Sequence, residues 1–336
     1  MIFICKPNRV TRSYLGGHRI DALHGIEAAD NYKPEEWVGS VTSARNPDGD
    51  PREGLSVTRS GEYLADILKF HPEYLGKCQE IPILLKLLDA SERLVIQVHP
   101  TVDFARKNLN SPFGKAECWY IIATDPGACV YLGFRESVTR EDWKVSFQSQ
   151  SVERMLSMLH KIELSPGDVW YVDGGVPHAI GGGCLMAELQ EPTDLMAVVE
   201  KVTPSGRKIP DERLHCGLGF DRMFDMFEYK SYSRTELEAK FHRHIEVPKN
   251  GLENRVVSVI GPDLTGKFAM DEYRVNGRIS LNPDSLPHIF VVISGSGEIS
   301  DTDSRNVLVS GDCGFIPASV GSVTFSGNLR VLVCHP

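Results

Sequence analysis

Two periodicities divide the chain. Runs that are apolar throughout, or that alternate every second residue, fill residues 81–98, 117–134, 162–200 and most of the sequence beyond 255, and they predict strands. Helical spacing interrupts them at about residues 60–76, 101–110, 135–161 and 204–245. In the first interruption Leu64, Ile67 and Leu68 share a face before Pro72 and Gly76 stop the helix. In the third, Val152, Met155, Leu156 and Leu159 do so, with strands resuming at Ile162. Residues 81–100, "IPILLKLLDASERLVIQVHP", read as two strands joined by an Asp-Ala-Ser-Glu turn, the first apolar enough to be buried on both faces. Lys86 breaks that run. A buried ammonium is costly unless it reaches an anion or solvent, so Lys86 either enters a polar cavity or snorkels to an edge.

The strand pattern also repeats. With "GDVWYVDGGVPHAI" (167–180) set above "GDCGFIPASVGSVT" (311–324), Gly167 meets Gly311, Asp168 meets Asp312 and His178 meets Ser322. "ECWYIIA" likewise meets "HIFVVIS", which puts Glu117 opposite His288. Glu117 and His178 are 61 residues apart and His288 and Ser322 are 34 apart; the excess of 27 is the length of the 135–161 insertion. The chain therefore reads as two related β-units, residues 1–250 with helical insertions and residues 251–336 without them.

Composition narrows the partners. Of 336 residues 41% are hydrophobic and 24% charged, the balance of an ordinary globular protein. No apolar run approaches the ~20 residues of a spanning helix, and "MIFICKPNRV" lacks the layout of a secretory leader, so a cytoplasmic address is expected. A net charge of −9 argues against nucleic acid or an anionic membrane and leaves room for a small charged substrate. The eight cysteines are scattered with no C-x-x-C pair, as expected of reduced, buried thiols.

Four residues carry candidate metal chemistry. Gln97 and His99 are two apart in a predicted strand, so their side chains leave one face. Glu117 opens another strand and His178 follows a glycine-rich turn; in a closed barrel all four converge. Two imidazoles, a carboxylate and an amide oxygen, with no thiolate, suit a catalytic Zn²⁺ with an open position, and equally Fe²⁺, Mn²⁺ or Co²⁺. Trp37, in the irregular lead-in from Lys6, is either a packing aromatic or a wall of the site.

The interval G-x5-P-x-G-x2-H resembles the second motif of the cupin superfamily. Gly167, Gly175 and His178 fit it, with Asp173 at the proline position, whereas the second copy keeps Gly311 and Pro317 but has Ser319 and Ser322. The blocks "PILLKLLDASERLVIQVHP", "GKAECWYII", "VPHAIG" and "ELQEPTDL", in that order, resemble the class I phosphomannose isomerases, also called mannose-6-phosphate isomerases, over nearly the whole chain. The resemblance implies a mostly β fold of two cupin-type jelly-roll barrels with helical insertions, metal-binding in residues 1–250 and degenerate, without metal ligands, in 251–336. It implies one Zn²⁺ per chain on Gln97, His99, Glu117 and His178, and interconversion of mannose 6-phosphate and fructose 6-phosphate through an enediol. Glu188 then matches the general base and Lys115 a catalytic cation, while Lys86 and Trp37 are assigned to substrate binding.

One position departs from that pattern. The family usually carries an arginine four residues after the aspartate that here is Asp194, and this chain has Val198. A cation from Lys201, Arg207 or Lys208 replaces it, or the substrate differs, or the pocket persists as a non-catalytic sugar-binding cupin. A cupin dioxygenase also uses two histidines and a carboxylate, but Gln-x-His argues against that.

Overall fold

The computed structural model describes residues 1–27, 32–46, 49–247 and 253–336. The expected boundary between residues 250 and 251 lies outside them. Among the described residues the fold is mostly β, in three sheets. A seven-stranded antiparallel sheet runs His242–His244, Asp168–Val172, Glu117–Thr124, Cys184–Gln190, Leu84–Ala90, Glu35–Val38, Arg9–Val10. A five-stranded sheet runs Ala197–Val198, Gln97–Val98, His178–Ile180, Cys129–Phe134, Leu159–Glu163.

The apolar pattern explains this layering. Every residue of Leu84–Ala90 and of Cys184–Gln190 is buried, as a strand between two packed faces requires. Val130, Leu132 and Ile180 of the five-stranded sheet pack into the same core as Leu85, Leu87 and Trp119 of the larger one. The other face of the smaller sheet, Val98, Phe134 and Ala179, is covered by the insertions. Helix Arg140–Gln148 starts on a capping box between Thr139 and Asp142 and buries Trp143 and Phe147 against Phe134 and Phe224. Helix Val152–Ser157 ends before Leu159, which pairs with Phe134 as a strand residue. The strand thus resumes three residues before Ile162, because the hydrophobic contact that suggested a further helical turn is made across a ladder.

The remaining sheet, mostly beyond residue 255, runs Phe3–Cys5, Cys313–Ile316, His288–Ser300, Val323–His335, Ala269–Leu281, Arg255–Ile260, with Arg305–Val309 paired to His288–Ser300. The repeat seen in the sequence reappears in its register. Glu117 lies opposite Val172, and His288 lies opposite Ile316, the residue aligned with Val172.

Two close backbone approaches hold the turn before His178 against the segment after His99. The Gly175 amide donates to the His99 carbonyl at 2.7 Å, and Gly175 has φ +89°. A Cβ on Gly174 would stand 2.5 Å from the Pro100 carbonyl oxygen. Gly174→Ala should destabilise the protein by about 1–3 kcal/mol through that overlap, as read by urea unfolding. An unchanged midpoint would show that the turn is not pinned there.

Candidate metal centre and cavity

Where the two sheets of the larger unit meet, their strands deliver His99, Glu117 and His178 to one point. Ladder pairing sets His178 opposite Gln97, and Gln97 opposite Val198. All three candidate ligands are buried, with ligand atoms within 4.8 Å of one another. His99 Nδ1 donates to the Leu195 carbonyl at 2.9 Å and His178 Nδ1 to the Val176 carbonyl at 3.0 Å. Both rings therefore turn an unprotonated Nε2 inward, the tautomer a metal ligand needs. Burial lowers both imidazole pKa values, that of His178 to about 3 with help from His99, so the lone pairs stay available near neutral pH.

The cluster is built to hold positive charge. His99 Nε2 lies 3.0 Å from Glu117 Oε1, two acceptors facing each other, and Glu117 Oε1 receives no hydrogen bond of ordinary geometry. The Lys115 ammonium meets both, at 2.7 Å from Glu117 Oε1 and 3.0 Å from His99 Nε2. The Gln97 side-chain amide faces His178 Nε2 at 3.2 Å, and Trp119 Nε1 donates to Glu117 Oε2 at 3.1 Å. Burial alone would raise the Glu117 carboxyl pKa, but the His99 ring beside it and the Lys115 ammonium pull it well below its ordinary value. Oriented imidazoles and an under-bonded carboxylate fit a divalent cation, with the Gln97 amide oxygen available as a fourth donor.

A cavity opens beside the cluster, lined by Arg12, Glu35, Lys86, Gln97, Lys115, Glu188 and Asp194 among others. Lys86 takes the cavity alternative: its ammonium lies 3.0 Å from Glu188 Oε1 and 3.8 Å from Glu35 Oε2. Glu188 is opposite Lys86 across one ladder and opposite Trp119 across the other, so alternation aims it inward. Burial, then the charge of Glu117, raises its pKa. Trp37 is brought close but not to the wall. It is fully buried beneath Lys86, whose ammonium sits 5.2 Å from the ring, and its Nε1 donates to Glu35.

Two residues of this cavity escaped the sequence. Glu35 shares the inward face of its strand with Trp37, and that alternation was the signal that could have found it. Glu35 accepts from Tyr14 at 2.7 Å and from Trp37 at 2.8 Å. Arg12, from the lead-in, forms a two-pronged pair with Asp194 at 3.2 Å on each arm, and its Nε lies 3.0 Å from Glu35. No local pattern marks Arg12, because its partner is 182 residues away. Of the expected substitutes for the missing arginine, Lys201 pairs with Asp211, while Arg207 and Lys208 line an outer groove together with Val198.

The family described as mannose-6-phosphate isomerase, cupin domain, matches residues 263–336. The mannose-6-phosphate isomerase of Streptococcus mutans is 27% identical over 328 residues, covering 95% of this chain and 94% of its own. The mannose-6-phosphate isomerase ManA of Bacillus subtilis is 26% identical over 290 residues, covering 84% and 86%. A crystal structure of the mannose 6-phosphate isomerase from Bacillus subtilis superposes with a TM-score of 0.77 at 23% identity, over 100% of this chain and 99% of that one. A variant of phosphomannose isomerase from Salmonella typhimurium gives 0.70 at 16%, covering 99% of each chain. Residues 263–336 thus match a cupin domain found in mannose-6-phosphate isomerases. The chain as a whole is similar to proteins of that name over most of its length.

The buried carboxylates make stability acid-sensitive. Burial opposes ionisation of Glu35, yet Arg12 and Lys86 lower its pKa from 4.5 to about 2. The folded state thus binds this proton more weakly than the unfolded chain, and the contribution present above pH 4.5 is lost as pH falls towards 2. Between pH 6 and pH 2 the unaltered protein should lose about 3 kcal/mol more than Glu35→Gln, measured by denaturant unfolding at each pH. Parallel losses in the two proteins would contradict this account.

Proposed function

We propose that this isomerase interconverts mannose 6-phosphate and fructose 6-phosphate through an enediol intermediate, with one Zn²⁺ held by Gln97, His99, Glu117 and His178. One observation carries the reading: the cavity beside the ligand cluster also contains a buried carboxylate, Glu188, whose pKa is raised towards the range of a working base. When bound, the ion supplies positive charge for the oxygens that turn negative at C1 and C2. Glu188 takes the proton from C2 of the aldose as O1 gains one, giving the enediol, and returns it to C1 as O2 gives up its hydroxyl proton, so that the hydroxyl hydrogen passes from O2 to O1. Lys86, 3.0 Å from its Oε1, fixes the carboxylate in place. Lys115, on the same cavity wall, donates to a sugar oxygen.

The outer groove suits the phosphate. It shares Arg12, Ser13, Val95, Asp194 and Met196 with the cavity and adds Arg45, Arg207, Lys208 and Arg213. Residues 1–250 and 251–336 form, in this reading, two cupin-type barrels, of which only the first serves the reaction.

Val198 favours a second reading, a sugar-binding pocket without turnover. Arg12 weighs against it, because it brings a guanidinium to the groove that Val198 also lines. A coupled assay decides between them. Chelation should abolish turnover of mannose 6-phosphate and Zn²⁺ should restore it; metal-loaded protein that shifts its melting temperature with the sugar phosphate but never converts it would establish the second reading.

Glu188→Gln should lower kcat about 10²–10⁴-fold in the same assay, with metal content unchanged. Val198→Arg should not raise activity. The site is only 4% exposed and shares its groove with Arg12, so the added charge should destabilise the protein by about 1–3 kcal/mol, read as a lowered unfolding midpoint.

A further inference from the structure

The C-terminal sheet carries a second pair of inward-turned imidazoles. The ladder that pairs Ile289 with Cys334 sets His288 directly across from His335. Their ring centroids are 4.9 Å apart with planes at 49°; for His99 and His178 the values are 4.9 Å and 50°. His288 Nδ1 donates to the Leu286 carbonyl at 3.0 Å and His335 Nδ1 to the Pro336 backbone oxygen at 2.9 Å. As at the first pair, the backbone fixes the tautomer and leaves both Nε2 atoms as acceptors.

The surroundings point to a ligand. The two histidines share a surface cavity with Asp271, Asp284, Tyr273 and Asn282. Asp271 lies opposite Val333, two residues from His335 on the facing strand, so alternation turns its side chain to the same side. His288 is 4% exposed, whereas Asp271 and His335 are half-buried, which leaves the cavity an open side for water. The register shows why the pair sits there. Glu117 faces Gln190 across the first unit's ladder, and His288 faces His335 at the matching place in the second. Burial and the neighbouring His335 push the His288 pKa down to about 4, so it stays neutral and able to coordinate at neutral pH.

We propose that His288 and His335 form a second metal site, taking a borderline divalent transition cation such as Cu²⁺, Ni²⁺ or Zn²⁺ on two imidazoles, with water from the open side of the cavity completing the shell. The ion ties the strands Ala269–Leu281, His288–Ser300 and Val323–His335 together at one end. This site is independent of the isomerase reading.

The test is Cu²⁺ titration of the tag-free chain, followed by calorimetry and electron paramagnetic resonance. The unaltered protein should bind two equivalents. His335→Ala should bind one and retain its isomerase kinetics, because its side chain lies outside the catalytic cavity. In a His99→Ala, His178→Ala chain, the remaining equivalent should show nitrogen hyperfine structure from two imidazoles. That spectrum reads the site without altering it, so it decides even if His335→Ala unfolds. No bound copper in the folded double variant, or bound copper there without the two-imidazole hyperfine structure, would overturn the proposal.

Discussion

Ionised groups buried together are the constraint on which the larger unit depends. Arg12, Lys86 and Lys115 share one interior with Glu35, Glu117, Glu188 and Asp194, and none of the seven is more than 9% exposed. An isolated charge there would cost many kcal/mol, so each group is tolerable only while its partners stay in place. The pairs are correspondingly close, 3.0 Å for Lys86 with Glu188 and 2.7 Å for Lys115 with Glu117. Four carboxylates against three cations leave the interior short of positive charge. The imidazole lone pairs of His99 and His178 point at Glu117 in this interior, so the same cluster that organises the packing also marks the seat of a cation.

Much of this was legible in the sequence because it rests on short-range periodicity. The i, i+2 spacing of Gln97 and His99, the glycine turn before His178 and the alternation that aims Glu188 inward all survive in the structure. Lys86 was legible as a question, since an ammonium in an apolar strand demands an anion, and the anion proved to be Glu188. What stayed hidden depends on contacts remote in sequence. Arg12 acquires its role only when the lead-in folds back on Asp194. Glu35 was visible only as a strand neighbour of Trp37, and Trp37 drew attention by its size although it lies beneath the cavity. Leu159 was read in the wrong period because a residue after a helix can make the same apolar contact from a strand.

The internal repeat shows how one scaffold serves unequal halves. Matching registers place Glu117 and His288 at equivalent points, so the ladders reproduce a location without its chemistry. The first copy surrounds that location with a second sheet, helices and a closed charge network. In the second the corresponding histidine lies near solvent, in a cavity lined by one sheet and a turn. The difference between the copies is therefore one of enclosure as well as of ligands.

The pairing of Arg12 with Asp194 has a consequence for how the protein is made. A chain synthesised from its N-terminus carries Arg12 early, with its charge solvated, for as long as it takes to add the 182 residues that separate it from its partner. Glu35 and Lys86 are in the same position until Glu188 emerges. The charged interior cannot close until both edges of the larger unit exist, and long-range closures of this kind are slow. Its apolar strands must therefore form around a gap that the last partners fill, which makes completion of the cavity a late event in folding.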